Sequence, residues 1–190
     1  MPYPQMMVSL PGWIEEFLPE SDKAYPTLEE RMRLVIELSR LNIEHNTGGP
    51  FGAAIFNMET HQLIAPGVNL VLSANCSVFH AEITAMMIAQ KIVRYYDLSN
   101  LSCELVSSTE PCAMCFGAIH WSGIKRLVCG ARDEDARSVG FDEGSKLKDW
   151  YLALEHRGIK VIKDVCREEA AAVLHQYVES GGIIYNAGNL

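Results

Sequence analysis

At 190 residues the chain is long enough for one domain with a real hydrophobic core, and 48% hydrophobic with 21% charged residues is ordinary globular composition. A net charge of −8 with scattered Lys and Arg disfavours tight binding to large nucleic acids, which draw affinity from clustered cations. The apolar runs are too short for a membrane span and no Lys or Arg occurs through Asp22, so a cytoplasmic protein is expected, in which six cysteines read as metal or redox groups before disulfides.

Residues 1–26 carry Pro2, Pro4, Pro11, Pro19 and Pro26 and predict an irregular arm, in which Trp13, Ile14, Phe17 and Leu18 can pack a short helical turn. Thr27 and Glu30 then form a T-x-x-E capping box. Leu28, Met32, Val35, Leu38 and Leu41 recur at helical spacing until Gly48-Gly49. Residues 51–56 and 63–72 read as a hairpin around a turn at 57–61. A second helix is expected over 80–96, burying Ala81, Ile83, Ala85, Ile88, Ala89 and Ile92. A strand at 103–107 precedes a short helix opened by Pro111 and closed near Gly123. Residues 126–131 and 159–165 read as further strands, with a helix over 146–157 between them and Gly158 as its stop. A last helix at 168–180 ends on Gly181-Gly182, followed by an uncharged tail. Alternating strands and helices imply a three-layer α/β domain.

Two segments carry chemistry: Phe79-His80-Ala81-Glu82-Ile83 and Glu110-Pro111-Cys112-Ala113-Met114-Cys115. Cys112 and Cys115, three apart, share a helix face. A helix start favours negative charge and prepares two thiolates. Two thiolates suit zinc, and His80 supplies a third ligand, leaving the fourth tetrahedral position for water. Glu82 stands close to such a metal without needing to ligate it, placed to move protons. Taken singly, C-x-x-C is also a redox pair, a lone His is usually structural, and Cys76 offers a fourth ligand that would close the site into a structural zinc. H-x-E followed by P-C-x-x-C together is the signature known for zinc deaminases.

Over about residues 27–185 the chain resembles the cytidine deaminase superfamily. Within it, it is most similar to bacterial guanine deaminases, including the subgroup that also acts on ammeline. Beyond the zinc motifs, the matching stretches are Gly49-Pro50-Phe51-Gly52, Cys115 through Gly123, Gly140-Phe141-Asp142-Glu143-Gly144 and Ile184-Tyr185-Asn186-Ala187. The resemblance implies an α/β/α sandwich with a mixed five-stranded sheet, residues 27–190 as the catalytic domain, and Zn2+ held by His80, Cys112 and Cys115. It implies Glu82 as proton shuttle, Glu143 as a second carboxylate at the substrate, Asn69 as an amide contact to the base and Phe51 as an aromatic wall. Trp121 belongs with these as a residue of the core or pocket wall. A small nucleobase as substrate and a homodimer are implied as well.

Guanine's chemistry fits that set. Its C2 edge carries two donors, N1–H and the amine, which suit an acceptor-only carboxylate; O6 and N7 accept, which suits an Asn amide. On composition alone, residues 132–135 with Asp142 and Glu143 read as a solvated acidic loop, and Asn69 and Phe51 as turn and core residues. His45, His61, His120, His156 and His175 receive no role, and Cys103, Cys129 and Cys166 read as reduced residues. The tail is left without assigned contacts.

Overall fold

A computed structural model of the protein describes residues 3–4, 6–18 and 22–188; Pro2 and Pro19 of the expected arm lie outside the described residues. The arm contains α1 (Trp13–Phe17), whose Trp13 and Ile14 are buried against Leu38, Val68, Leu70 and Phe79. Helix α2 (Leu28–Glu44) starts where the capping box predicts. Thr27 Oγ1 accepts the Glu30 N–H at 3.2 Å, and the Glu30 carboxylate accepts the Thr27 N–H at 2.9 Å.

The period then changes from helical to alternating. Strands β1 (Gly52–Asn57) and β2 (Leu63–Val68) form an antiparallel hairpin, shorter at its end than expected because residues 69–75 turn away from the sheet. Helix α3 (Ala81–Val93) follows, then one 3-10 turn (Ser99–Leu101) and β3 (Cys103–Thr109). Next come α4 (Ala113–Ser122), β4 (Arg126–Ala131), α5 (Asp133–Ser138), α6 (Trp150–Glu155), β5 (Lys160–Ile162) and α7 (Arg167–Glu179). The five strands order as β2-β1-β3-β4-β5. Strand β1 is antiparallel to both neighbours, and β3, β4 and β5 run parallel.

Strand alternation sends Ala53, Ile55, Leu105, Leu127 and Cys129 into one core with residues of α3, α4 and α6. Ala54, Phe56, Val106 and Val128 point into the other, against Met32 and Val35 of α2 and Val173 and Leu174 of α7. Each fully buried Val, Leu, Ile, Phe or Met among them stabilises the fold by about 1.5–3 kcal/mol. The expected mixed five-stranded sheet between two helical layers is the architecture observed. Among the described residues no helix is long and apolar enough to cross a membrane.

Three expectations need correction. Ile92 is exposed, and Met86 takes the buried place on α3. Pro111 lies before α4 rather than in its first turn, because Cys112 is the cap residue. The acidic run 132–135 is not a solvated loop: it opens α5, and Asp133, Glu134 and Asp135 pair with Arg137, Lys146, Arg132 and Arg167.

Candidate active site

Two helix starts supply the donor atoms. His80 is the residue before α3, with extended backbone, so its ring leaves the helix end while Glu82 sits in the first turn. Cys112 is the cap of α4, and its Sγ accepts the Cys115 N–H at 3.5 Å, as a carboxylate or hydroxyl does at other helix starts. Both ends turn their unpaired N–H groups, and the positive end of the helix dipole, toward the same place.

The three donors meet. His80, Cys112 and Cys115 each present one ligand atom, all within 4.8 Å of one another, and His80 Nδ1 lies 3.5 Å from Cys112 Sγ. Tetrahedral zinc with Zn–N about 2.0 Å and Zn–S about 2.3 Å requires an N···S edge of about 3.5 Å. One nitrogen and two sulfurs are zinc's own donor set, and Cys76 stands outside this group, so a closed four-ligand site is not formed among the described residues. The metal fits.

The electrostatics of the three donors suit a cation. The Cys112 thiol is lowered to about 4, first by the hydrogen bond from Cys115 and then by His80, against the opposing effect of burial. Cys115 is pushed up by the same hydrogen bond and by burial, so the pair shares one proton. Burial works against the His80 cation, but Cys112 outweighs it and raises the imidazole. A bound dication would hold both thiols as thiolates.

Glu82 is buried, with Oε1 accepting from Ser107 Oγ at 3.3 Å and Oε2 beside Cys115 Sγ at 3.4 Å. Burial, then the Cys112 charge, raises its carboxyl. Glu143 lines the same cavity of about 360 Å³, with His80, Glu82, Cys112, Phe51, Phe141 and Tyr185. Burial first, then Cys112 and Glu82, raises the Glu143 carboxyl to about 8.

The Glu143 loop is held from several sides. Gly140 and Gly144 take positive φ at its ends, 104° and 70°, which favours glycine. The Glu143 carbonyl accepts the Ala113 N–H at 3.0 Å, and the Gly144 carbonyl accepts from Arg137 at 2.7 Å. From the tail, Asn186 accepts the Asp142 N–H at 2.9 Å and donates to the Gly140 carbonyl at 2.8 Å.

Of the other expected residues, Phe51 lines the cavity and meets Phe141 edge-on at 4.9 Å. Asn69 is fully buried behind Phe51 and is not among the residues that line the cavity. Its N–H donates to the Phe51 carbonyl at 3.1 Å, its Oδ1 accepts from Val71, and its Nδ2 has no hydrogen-bond partner among the described residues. Trp121 is not brought to the cavity. It is 80% exposed near the end of α4, so in this chain it belongs to neither core nor pocket wall. Sequence reasoning gave no role to Phe141, Tyr185 or Asn186, although it had marked their segments; an aromatic residue in an uncharged, glycine-flanked tail was the available signal.

The chain belongs to the cytidine and deoxycytidylate deaminase family, whose zinc-binding region matches residues 26–131. It is therefore a zinc-dependent hydrolytic deaminase. Among characterised relatives, the guanine deaminase of Bacillus subtilis is 36% identical over 131 residues, 69% of this chain and 81% of that protein. The tRNA-specific adenosine deaminase of Buchnera aphidicola (subsp. Schizaphis graminum) is 36% identical over 137 residues, 72% of this chain and 85% of that one. The solved guanine deaminase from Nitrosomonas europaea superposes with a TM-score of 0.84 at 42% identity, covering 91% of this chain and 96% of that one. A further structure, solved with 2,6-diaminopurine, reaches 0.88 at 44% identity over 95% and 96%.

Proposed function

We propose that the protein hydrolyses guanine to xanthine and ammonia. The observation that carries this reading is the buried carboxylate of Glu143 in the cavity lined by His80, Cys112 and Glu82; the other buried carboxylate there, Glu110, is already paired with Lys146 and Lys163. Glu143 sits on a segment beyond the matched zinc-binding region, so it belongs to substrate choice more than to metal chemistry. The likeness to guanine deaminase structures across nine-tenths of the chain supports it.

Bound zinc would be held by His80 Nδ1, Cys112 Sγ and Cys115 Sγ and would lower the pKa of a water at its open position to about 7. Glu82 takes a proton from the attacking water as its oxygen bonds to C2 and delivers it to the adjacent ring nitrogen. Glu143 accepts from N1–H and the exocyclic amine. As the C2–N bond breaks, Glu82 takes the proton of the new C2 hydroxyl and passes it to the departing amine, which leaves as ammonia while the C2 oxygen becomes the xanthine carbonyl; Glu143 stays hydrogen-bonded to N1–H. Asn69 Nδ2, buried without a partner, donates to the O6/N7 edge, and Phe51 walls the ring plane. A base lacking the two donors leaves a buried carboxylate unpaired and is rejected.

The proposed setting is a cytoplasmic homodimer, with exposed Met87, Ile92 and Trp121 on the outer faces of α3 and α4 as part of the pairing surface. The test is ammonia release by zinc-loaded protein from guanine, guanosine, ammeline, cytosine, adenine and a tRNA. Guanine should lead; activity confined to tRNA adenosine would replace this reading with the other relative's chemistry.

A further inference from the structure

A polar chain runs from the N-terminal arm to the loop beside the pocket, and its direction is fixed by chemistry. Trp13 Nε1 can only donate, and it does so to Thr47 Oγ1 at 3.0 Å. The Thr47 hydroxyl then donates to Asn42 Oδ1 at 2.7 Å. That sets the Asn42 amide with its NH2 toward two carbonyls, Gly49 at 2.9 Å and Asn69 at 2.8 Å. Asn42 is fully buried, and Trp13 is further held by a stacked contact with His45 at 5.3 Å.

The two carbonyls belong to the segments that place the substrate contacts. The Gly49 carbonyl also accepts the Phe51 N–H at 2.9 Å, and the Phe51 carbonyl accepts the Asn69 N–H. A Cβ on Gly48 would lie 1.8 Å from the Asn69 carbonyl and 2.8 Å from Asn42 Nδ2, so the loop passes against both with no room to spare. We infer that Asn42 is a positioning residue for base binding, oriented by Thr47 and Trp13, and that the N-terminal arm thereby fixes the placement of Phe51 and Asn69. The inference rests on the proposed function in so far as those two residues contact the base.

Chemistry at zinc, Glu82 and Glu143 lies outside this chain of bonds, so its loss weakens binding of substrate and transition state alike: KM rises and kcat holds. Thr47→Val keeps the shape and removes the hydroxyl; Thr47→Ser keeps the hydroxyl. For Thr47→Val the expected result is a KM for guanine raised about tenfold, the size of one well-placed hydrogen bond, with kcat and zinc content as in wild type. Thr47→Ser should return KM to within about twofold of wild type, and Trp13→Phe, which keeps a ring on His45 but loses the donor, should shift KM in the same direction by about threefold. Without substrate, amide exchange at Phe51 and Asn69 should quicken in Thr47→Val and not in Thr47→Ser. An unchanged KM and unchanged exchange in Thr47→Val, a Ser variant as impaired as the Val variant, or a kcat that falls as far as KM rises would each overturn the inference. If wild-type protein leaves guanine untouched, the functional reading fails by itself. The exchange rates, and KM on whichever base is turned over, then still decide the positioning role.

Discussion

Cys112 shows how much chemistry one position can carry. It caps α4, accepts the Cys115 N–H, faces His80, and is already acidic in the metal-free protein. Substituting it removes a metal ligand and a helix cap together, whereas substituting Glu82 removes only the proton carrier. Cys112→Ala should therefore lose both zinc and turnover, while Glu82→Ala keeps zinc and loses a factor of about 10²–10⁴ or more in kcat. Metal content and ammonia release on the same preparations separate the two. Glu143 gives a prediction in pH. Its carboxyl rises from the ordinary 4.5 to about 8 in the metal-free fold. Between those values the folded chain holds a proton that the unfolded chain has released. That stability is full below 4.5 and is lost as pH rises through about 8. Metal-free Glu143→Gln, which cannot ionise, should melt increasingly above wild type as pH is raised from about 5 to about 9. Equal melting curves across that range would place Glu143 in a more solvated setting.

At the scale of elements, the sheet is tied to its helices by close approaches and by one buried ion cluster. Glu104 in β3 is fully buried between Arg31 of α2, at 2.8 Å, and Arg126 of β4, at 2.6 Å. Removing its charge strands Arg31, itself 3% exposed, so Glu104→Gln should cost about 3–5 kcal/mol in denaturant unfolding. Gly67 in β2 lets α3 approach: an added Cβ would lie 2.4 Å from the Ala81 carbonyl and 2.5 Å from the Ala85 N. Gly67→Ala should destabilise by about 1–3 kcal/mol and, because α3 carries His80 and Glu82, lower zinc affinity with it; calorimetry and a zinc titration read the two effects. The capping box at Thr27, the strand at 126–131 and the stop at Gly158 were legible because each depends on a few neighbouring residues. Helix α5 was not. Its acidic residues read as solvated until Lys146 and Arg167, supplied from farther along the chain, are seen beside them. Trp121 was misplaced for a different reason: α4 is apolar on nearly every side, so its sequence carries no periodic signal of which face is buried.

Across the whole molecule, the site gathers where β3 ends, with α3 and α4 starting beside it and the Glu143 loop and the tail closing over it. The metal half was readable from local spacing, since H-x-E and C-x-x-C set their own geometry at two helix starts. The substrate half was not, because Asn186 reaches Gly140 across 46 positions and Tyr185 meets Phe141 across the same stretch of chain. No short-range pattern encodes such contacts; only the family resemblance pointed to Glu143. The arm, read as irregular with one short helical turn around Trp13, carries that turn as the buried α1, and Trp13 is the first donor of the Asn42 chain. The most direct measurement is therefore on the assembled enzyme: guanine incubated with zinc-loaded protein, with xanthine and ammonia quantified together. One xanthine and one ammonia per guanine consumed, abolished in Glu82→Ala at unchanged zinc content, is the predicted result. Zinc enclosed by four side chains, with guanine left intact, would contradict it.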